Sequence, residues 1–188
     1  HLSIRRQRQM CIRDRPLHID TAPNTGMIFA VFINLLLLLL FGLQHSFMAR
    51  QGFKAWLNTC IPAAAERSTY VLMSSIAIAA IVIFWQTLPG YLWRVQQPLL
   101  WWLLSGLFAF GWIIAVVATF LINHSELFGL QQAWYHLQSR REPAHVFVER
   151  LLYKYVRHPI QLGILIGLWA TPAMSLSHLM LAAGLSLY

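Results

Sequence analysis

Three long apolar runs, each near the length of a bilayer crossing, constrain this chain more than any other feature: Met27 to Leu43, Tyr70 to Leu88 and Leu99 to Ile122. A membrane helix needs about 20 apolar residues, and the first run reaches that length by continuing through Gln44 and His45 to Met48. Within hydrocarbon every backbone N–H and C=O must find its partner inside the segment, so runs of this kind fold as helices. Two shorter runs follow. Ile160 to Ala173 closes at Thr171-Pro172, and another opens near Leu176 and is cut at Tyr188. The expected fold is therefore all-α, a polytopic membrane helical bundle of about five transmembrane helices with the last two as a hairpin. It is also expected to be C-terminally truncated, because a helix that stops inside hydrocarbon leaves its last carbonyls unsatisfied.

Composition excludes a soluble alternative. Of the residues, 58% are hydrophobic and 11% charged, against roughly one-half and one-quarter in a soluble domain. The net charge of +8 does not signal nucleic acid, because the cations lie in loops between apolar runs and form no patch on an aqueous face. Cys11 and Cys60 make neither a disulfide framework nor a C-x-x-C motif. Residues 1–22 differ from the rest, with five arginines and no apolar periodicity. They are expected to be disordered or foreign, which leaves 23–188 as the membrane domain.

Loop charge orients the bundle. Beyond the N-terminal segment the cations are Arg50, Lys54, Arg67, Arg94, Arg140, Arg141, Arg150, Lys154 and Arg157. All but Arg94 lie in the loops Ala49 to Thr69 and Asn123 to His158, which counting of spans places on one side. The positive-inside rule makes that side cytoplasmic. Trp85, Tyr91, Trp93, Trp101 and Trp102 surround the opposite loop, Pro89 to Pro98, as an interfacial belt.

Ionisable groups near the membrane are costly to hold, and here they fall in four sets at cytoplasmic helix ends: Gln44-His45-Ser46, Glu66-Arg67-Ser68, Asn123-His124-Ser125-Glu126 and Arg157-His158-Pro159. Any one of them is adequately explained as an interfacial anchor. Together they bring imidazole, carboxylate and guanidinium groups to one level, as a site at the mouth of a bundle requires. Pro159 suits the first position of a helix. The free N–H groups of that first turn, with Arg157 beside them, make an anion site. Gly163 and Gly167, four apart, permit close approach of a ligand or of another helix. Metal ligation through His45 and His124 lacks a paired-histidine spacing, and no metal site is expected.

Four ordered motifs carry a resemblance: Phe41-Gly42-Leu43-Gln44-His45-Ser46, Glu66-Arg67-Ser68-Thr69-Tyr70, the stretch Thr119 to Gly129 and the stretch Tyr153 to Pro159. Together they resemble the bacterial methanethiol S-methyltransferases, within the NnrU-like and isoprenylcysteine carboxyl methyltransferase-like membrane proteins. The resemblance covers Met27 to Tyr188. It implies transfer of a methyl group from S-adenosylmethionine to a small thiol, methanethiol, giving dimethyl sulfide, in the bacterial inner membrane. It also implies that Arg157, His158 and Pro159 bind the cofactor from the cytoplasmic side. Two departures stand out: Gln161 replaces a tyrosine common two residues after the proline, and the acidic C-terminal segment of the superfamily is absent.

The acceptor must react as a thiolate. His45 or His124 is the expected base, with Glu126 orienting an imidazole, and His45, Glu66, His124, Glu126, Arg157 and His158 are expected around one cavity. Three competing readings remain at this level: a related enzyme methylating an isoprenylcysteine carboxylate, an NnrU-like protein of nitrogen-oxide metabolism binding haem through His45 and His124, and a membrane scaffold.

Overall fold

The structure, a computed structural model, describes residues 26–122, 124–140 and 151–187, except for the side chains of 122, 124, 151 and 152. The segment 1–22, and the loop cations Arg141 and Arg150, lie outside the described residues. In chain order the elements are α1 (Met27–Ala49), α2 (Gln51–Cys60), α3 (Ala63–Phe84), β1 (Tyr91–Arg94), α4 (Pro98–Ile122), α5 (His124–Leu127), α6 (Leu130–Leu137), a 3-10 turn (Leu151–Lys154), α7 (Pro159–Trp169), β2 (Ala173–Ser175) and α8 (Leu176–Ser186).

Three of these, α1, α3 and α4, are long and apolar enough to cross a membrane. At about 1.5 Å per residue they measure roughly 33–38 Å, against a hydrocarbon core of about 30 Å. Only 22%, 11% and 17% of their most apolar stretches is buried. Side chains such as Leu36, Leu39, Val82 and Phe120 point outward, each more than half exposed. Water would reject so large an apolar surface, and lipid accepts it. The molecule is a membrane helical bundle.

The boundaries depart from the apolar runs in ways that matter for the site. The second span starts at Ala63, not at Tyr70. Pro62 occupies the cap position, Ala63 to Ala65 are strong helix formers, and Glu66 in the first turn complements the helix dipole. The expected loop Ala49 to Thr69 thus contains α2 and the start of α3. The same span stops at Phe84, short of Leu88, where the amide of Asn34 takes up the backbone of Gln86. The run from Ile160 is helical only to Trp169.

A second departure is a two-stranded antiparallel ribbon, which the all-α expectation did not include. β1 pairs with β2 through Tyr91↔Ser175, Trp93↔Met174 and Arg94↔Ala173, with an irregularity between Tyr91 and Trp93. Arg94, the lone cation of its loop, sits with its guanidinium 3.6 Å from the centre of the Tyr91 ring. Ser175 caps α8 by accepting from the His178 amide at 3.0 Å. At eleven residues each, α7 and α8 are about 16 Å long and do not span alone.

Two antiparallel helix pairs form the bundle. In the first, Asn34 of α1 is fully buried; it donates to the Gln86 carbonyl at 2.7 Å and accepts from the Gln86 amide at 2.8 Å. Leu37, Phe41, Ala77, Ile81 and Trp85 pack behind this contact, with Met180, Leu181 and Leu185 of α8 against them. In the second pair, α4 and α7 cross backbone to backbone. A Cβ added at Gly163 would come within 2.6 Å of the Ala115 amide nitrogen and the Gly111 carbonyl oxygen, and one at Gly167 within 2.8 Å of the Trp112 indole. The expected small-residue face therefore serves a helix, and leaves no room there for a ligand.

Replacing Asn34 with leucine removes both of its hydrogen bonds to the Gln86 backbone and should lower stability by about 1–3 kcal/mol. Equilibrium unfolding in mixed micelles measures this; an unchanged midpoint would remove the Asn34 contact from the fold's determinants.

Candidate functional site

Antiparallel pairing brings the end of α1, the start of α3, the end of α4 and the start of α7 to one end of the bundle. His45 lies on the α1 stripe that also carries Phe41, one turn earlier, and the rings of these two residues are 5.5 Å apart. Tyr70 and Ser74 occupy the facing stripe of α3, four residues apart and in line with the core residues Ala77 and Ile81. The Tyr70 hydroxyl lies 2.6 Å from His45 Nε2 and 3.0 Å from Nδ1. Ser74 Oγ lies 3.2 Å from Nδ1, and the Gln44 amide nitrogen is 3.5 Å from the same Oγ. Both imidazole nitrogens thus have hydroxyl partners. The carboxamide oxygen of Gln44 is buried without a hydrogen-bond partner among the described residues.

The chain after α4 folds back onto the start of α3. Arg67 donates from Nε to the Leu127 carbonyl at 3.0 Å, and Ser68 donates from Oγ to the Gly129 carbonyl at 2.9 Å. Gly129 is required there on two counts. Its φ is +74°, and a Cβ would meet the Ser68 amide nitrogen at 2.6 Å. On the other side of the α3 start, Glu66 accepts from Asn58 Nδ2 at 2.9 Å and pairs with Lys54 Nζ at 3.4 Å, which ties α2 down. Between these contacts is a cavity of about 400 Å³ lined by Met48, Ala49, Lys54, Leu57, Glu66, Arg67 and Tyr70. Tyr70 belongs both to this wall and to the His45 cluster, so it connects the cavity to the imidazole.

Arg157 and His158 are exposed at the head of α7, with Pro159 buried at its first position as expected. Just upstream, the Tyr153 hydroxyl donates to the Ala118 carbonyl at 3.4 Å, and burial pushes its pKa above the usual phenol value. Of the six residues expected around one cavity, Glu66 is in its wall and His45 stands one side chain behind, through Tyr70. Glu126 is half-buried in the turn held by Arg67, and Arg157 and His158 share the same end of the bundle without lining that cavity. The His124 side chain lies outside the described residues. Tyr70, Ser74 and Lys54 stand at the site without being among the residues expected there, although Tyr70 closes one of the four motifs.

No family model matches the chain, and no solved structure matches it. Among curated proteins it is 44% identical over 173 residues to methanethiol S-methyltransferase 1 of Bradyrhizobium diazoefficiens, covering 92% of this chain and 61% of that protein. It is 43% identical over 173 residues to methanethiol S-methyltransferase of Mycobacterium tuberculosis, covering 92% of this chain and 71% of that protein. Nurim of Mus musculus is 32% identical over 163 residues, covering 82% of this chain and 62% of that protein. The chain thus spans under two thirds of the first of these relatives and somewhat more of the second.

Gly129→Ala should undock the segment that follows α4, since both its φ and its contact with Ser68 oppose a side chain. Amide hydrogen exchange should quicken across 124–137 and the first turn of α3 while the α4–α7 crossing stays protected. Unaltered exchange in 124–137 would show that the docking is not held at Gly129.

Proposed function

The chain belongs to the methanethiol S-methyltransferase family, and on that premise we propose that the whole protein methylates methanethiol from S-adenosylmethionine and releases dimethyl sulfide. The observation that carries this reading is the cavity at the gathered helix ends, with Tyr70 in its wall and His45 directly behind.

S-adenosylmethionine, when bound, supplies a methyl group on a cationic sulfur and presents a carboxylate and an ammonium for recognition. The donors at this end of the bundle fit such a group. Arg157, His158 and the first N–H groups of α7, which Pro159 starts, suit a carboxylate. At the cavity, Arg67 and the Lys54–Glu66 ion pair form the charged part of the wall.

The chain's own residues then have two tasks, to hold the acceptor in place and to take its proton. Ordering of the reactants alone contributes roughly 7–11 kcal/mol. Met48 and Leu57 supply apolar wall against which a small thiol can rest. The Tyr70 oxygen accepts the thiol proton as its own passes to a ring nitrogen of His45, and Ser74 holds the ring in place. His124, with Glu126 orienting it, is the second candidate base. A haem-binding reading finds less support, because both nitrogens of His45 already face hydroxyl groups. We place the 49–69 and 123–158 loops in the cytoplasm of a bacterial inner membrane, and count α7 and α8 as the remaining embedded pair of a bundle of about five.

Full-length protein given methanethiol and S-adenosylmethionine should release dimethyl sulfide into the headspace. Tyr70→Phe and His45→Ala should each lower kcat by about 100-fold or more, with the double variant little worse than either and the KM for the methyl donor nearly unchanged. If full-length His45→Ala and His124→Ala both turned over normally across pH, neither histidine would be the base.

A further inference from the structure

The two edges of α2 face different surroundings. Lys54, Leu57 and Asn58 turn towards α3, where Lys54 and Asn58 meet Glu66 and Leu57 joins the cavity wall. Gly52, Phe53 and Trp56 turn the other way. With Phe47 and Arg50 at the end of α1, they line a separate groove of about 530 Å³ whose surface is almost wholly apolar. Its aromatic rings form a continuous row: Phe47 and Phe53 have centroids 4.9 Å apart, and Phe53 and Trp56 5.3 Å. None of the described residues fills it. A Cβ at Gly52 would meet no atom within 4 Å, and Phe47 and Trp56 are 56% and 58% exposed.

We propose that this groove is a binding site for one anionic phospholipid, an acyl chain lying along Phe47, Phe53 and Trp56 and the phosphate held by Arg50. Its position favours a lipid. α1 crosses the membrane and ends at Ala49, α2 begins at Gln51, and Arg50 alone separates them. The groove therefore starts at the depth where a lipid passes from tail to headgroup, and a short amphipathic helix with exposed aromatics suits that interface. Charge selects the class of lipid. Glu66 pairs with Lys54 on the far edge, and among the described residues Arg50 is the cation that lines the groove and no carboxylate does. A guanidinium takes a phosphate through two parallel hydrogen bonds. A phosphatidylglycerol headgroup presents its phosphate without a competing ammonium, whereas phosphatidylcholine carries its own cation beside it.

The full chain, purified in mild detergent and equilibrated with mixed phosphatidylglycerol and phosphatidylcholine, should retain about one phosphatidylglycerol per chain in native mass spectra. Retention should fall about tenfold in Arg50→Gln, the loss expected for one charge-assisted contact, and comparably in Trp56→Ala, while Arg50→Lys keeps part of it. Inorganic phosphate should fail to displace the lipid. Both positions are exposed, and unchanged helical circular dichroism of the variants will confirm that they fold. Equal retention in wild type and Arg50→Gln would overturn the site, as would equal retention of the two lipids. A dimer that disappears in Trp56→Ala while lipid content stays constant would assign the groove to a second copy and overturn it as well.

Discussion

The register between α1 and α3 is the constraint on which the candidate site depends. Between helices in lipid there is no hydrophobic force to drive association, so packing and hydrogen bonds decide which residues meet. Here the two helices are pinned at both ends, by the Asn34 amide on the backbone of Gln86 and by His45 against Tyr70 and Ser74. A slip of one helical turn, about 5.4 Å, would strand Asn34 unpaired in an apolar surrounding and carry His45 away from the cavity wall. The contact that stabilises one end of the pair thus places the chemistry at the other.

The second pair reaches the same result by shape instead of polarity. Gly111, Ala115, Gly163 and Gly167 let the α4 and α7 backbones touch, which fixes where Pro159 and the exposed Arg157 and His158 begin. Joining the pairs needs polar contacts at both membrane levels. The β1–β2 ribbon does this at one end, and Arg67 and Ser68 holding the Leu127 and Gly129 carbonyls do it at the other. The resulting surface has two parts: Arg157 and His158 are exposed at one end of the bundle, whereas the long helices expose apolar side chains along their length.

Much of this was legible in the sequence because hydropathy in long runs is decided locally. The three spans, the helix start at Pro159 and the small-residue face of Gly163 and Gly167 follow from residue type and spacing alone. Other features were hidden for identifiable reasons. Ala63 to Ala65 carry too little hydropathy to extend the run at Tyr70, and Glu66 and Arg67 look like loop charges, so the first two turns of α3 read as loop. α2 is only ten residues long and contains Gly52, and its amphipathic pattern is too brief to stand out beside the spans. Strands of four and three residues leave no periodicity to detect. Tyr70 and Ser74 could be placed opposite His45 only once the start of α3 and the Asn34 register were known. The four motif segments did fall at one end of the bundle, but which of their side chains share a wall was decided by tertiary contacts.

The most direct measurement of the gathered helix ends as one site is carbene footprinting of the full-length protein with and without S-adenosylmethionine, read residue by residue. Protection is expected at Arg67, Tyr70, Arg157 and His158 together, with Tyr91 and Trp93 at the other end of the bundle unchanged. Protection at the Tyr91–Arg94 end, or none at the four, would contradict a methyl-donor site built from these helix ends.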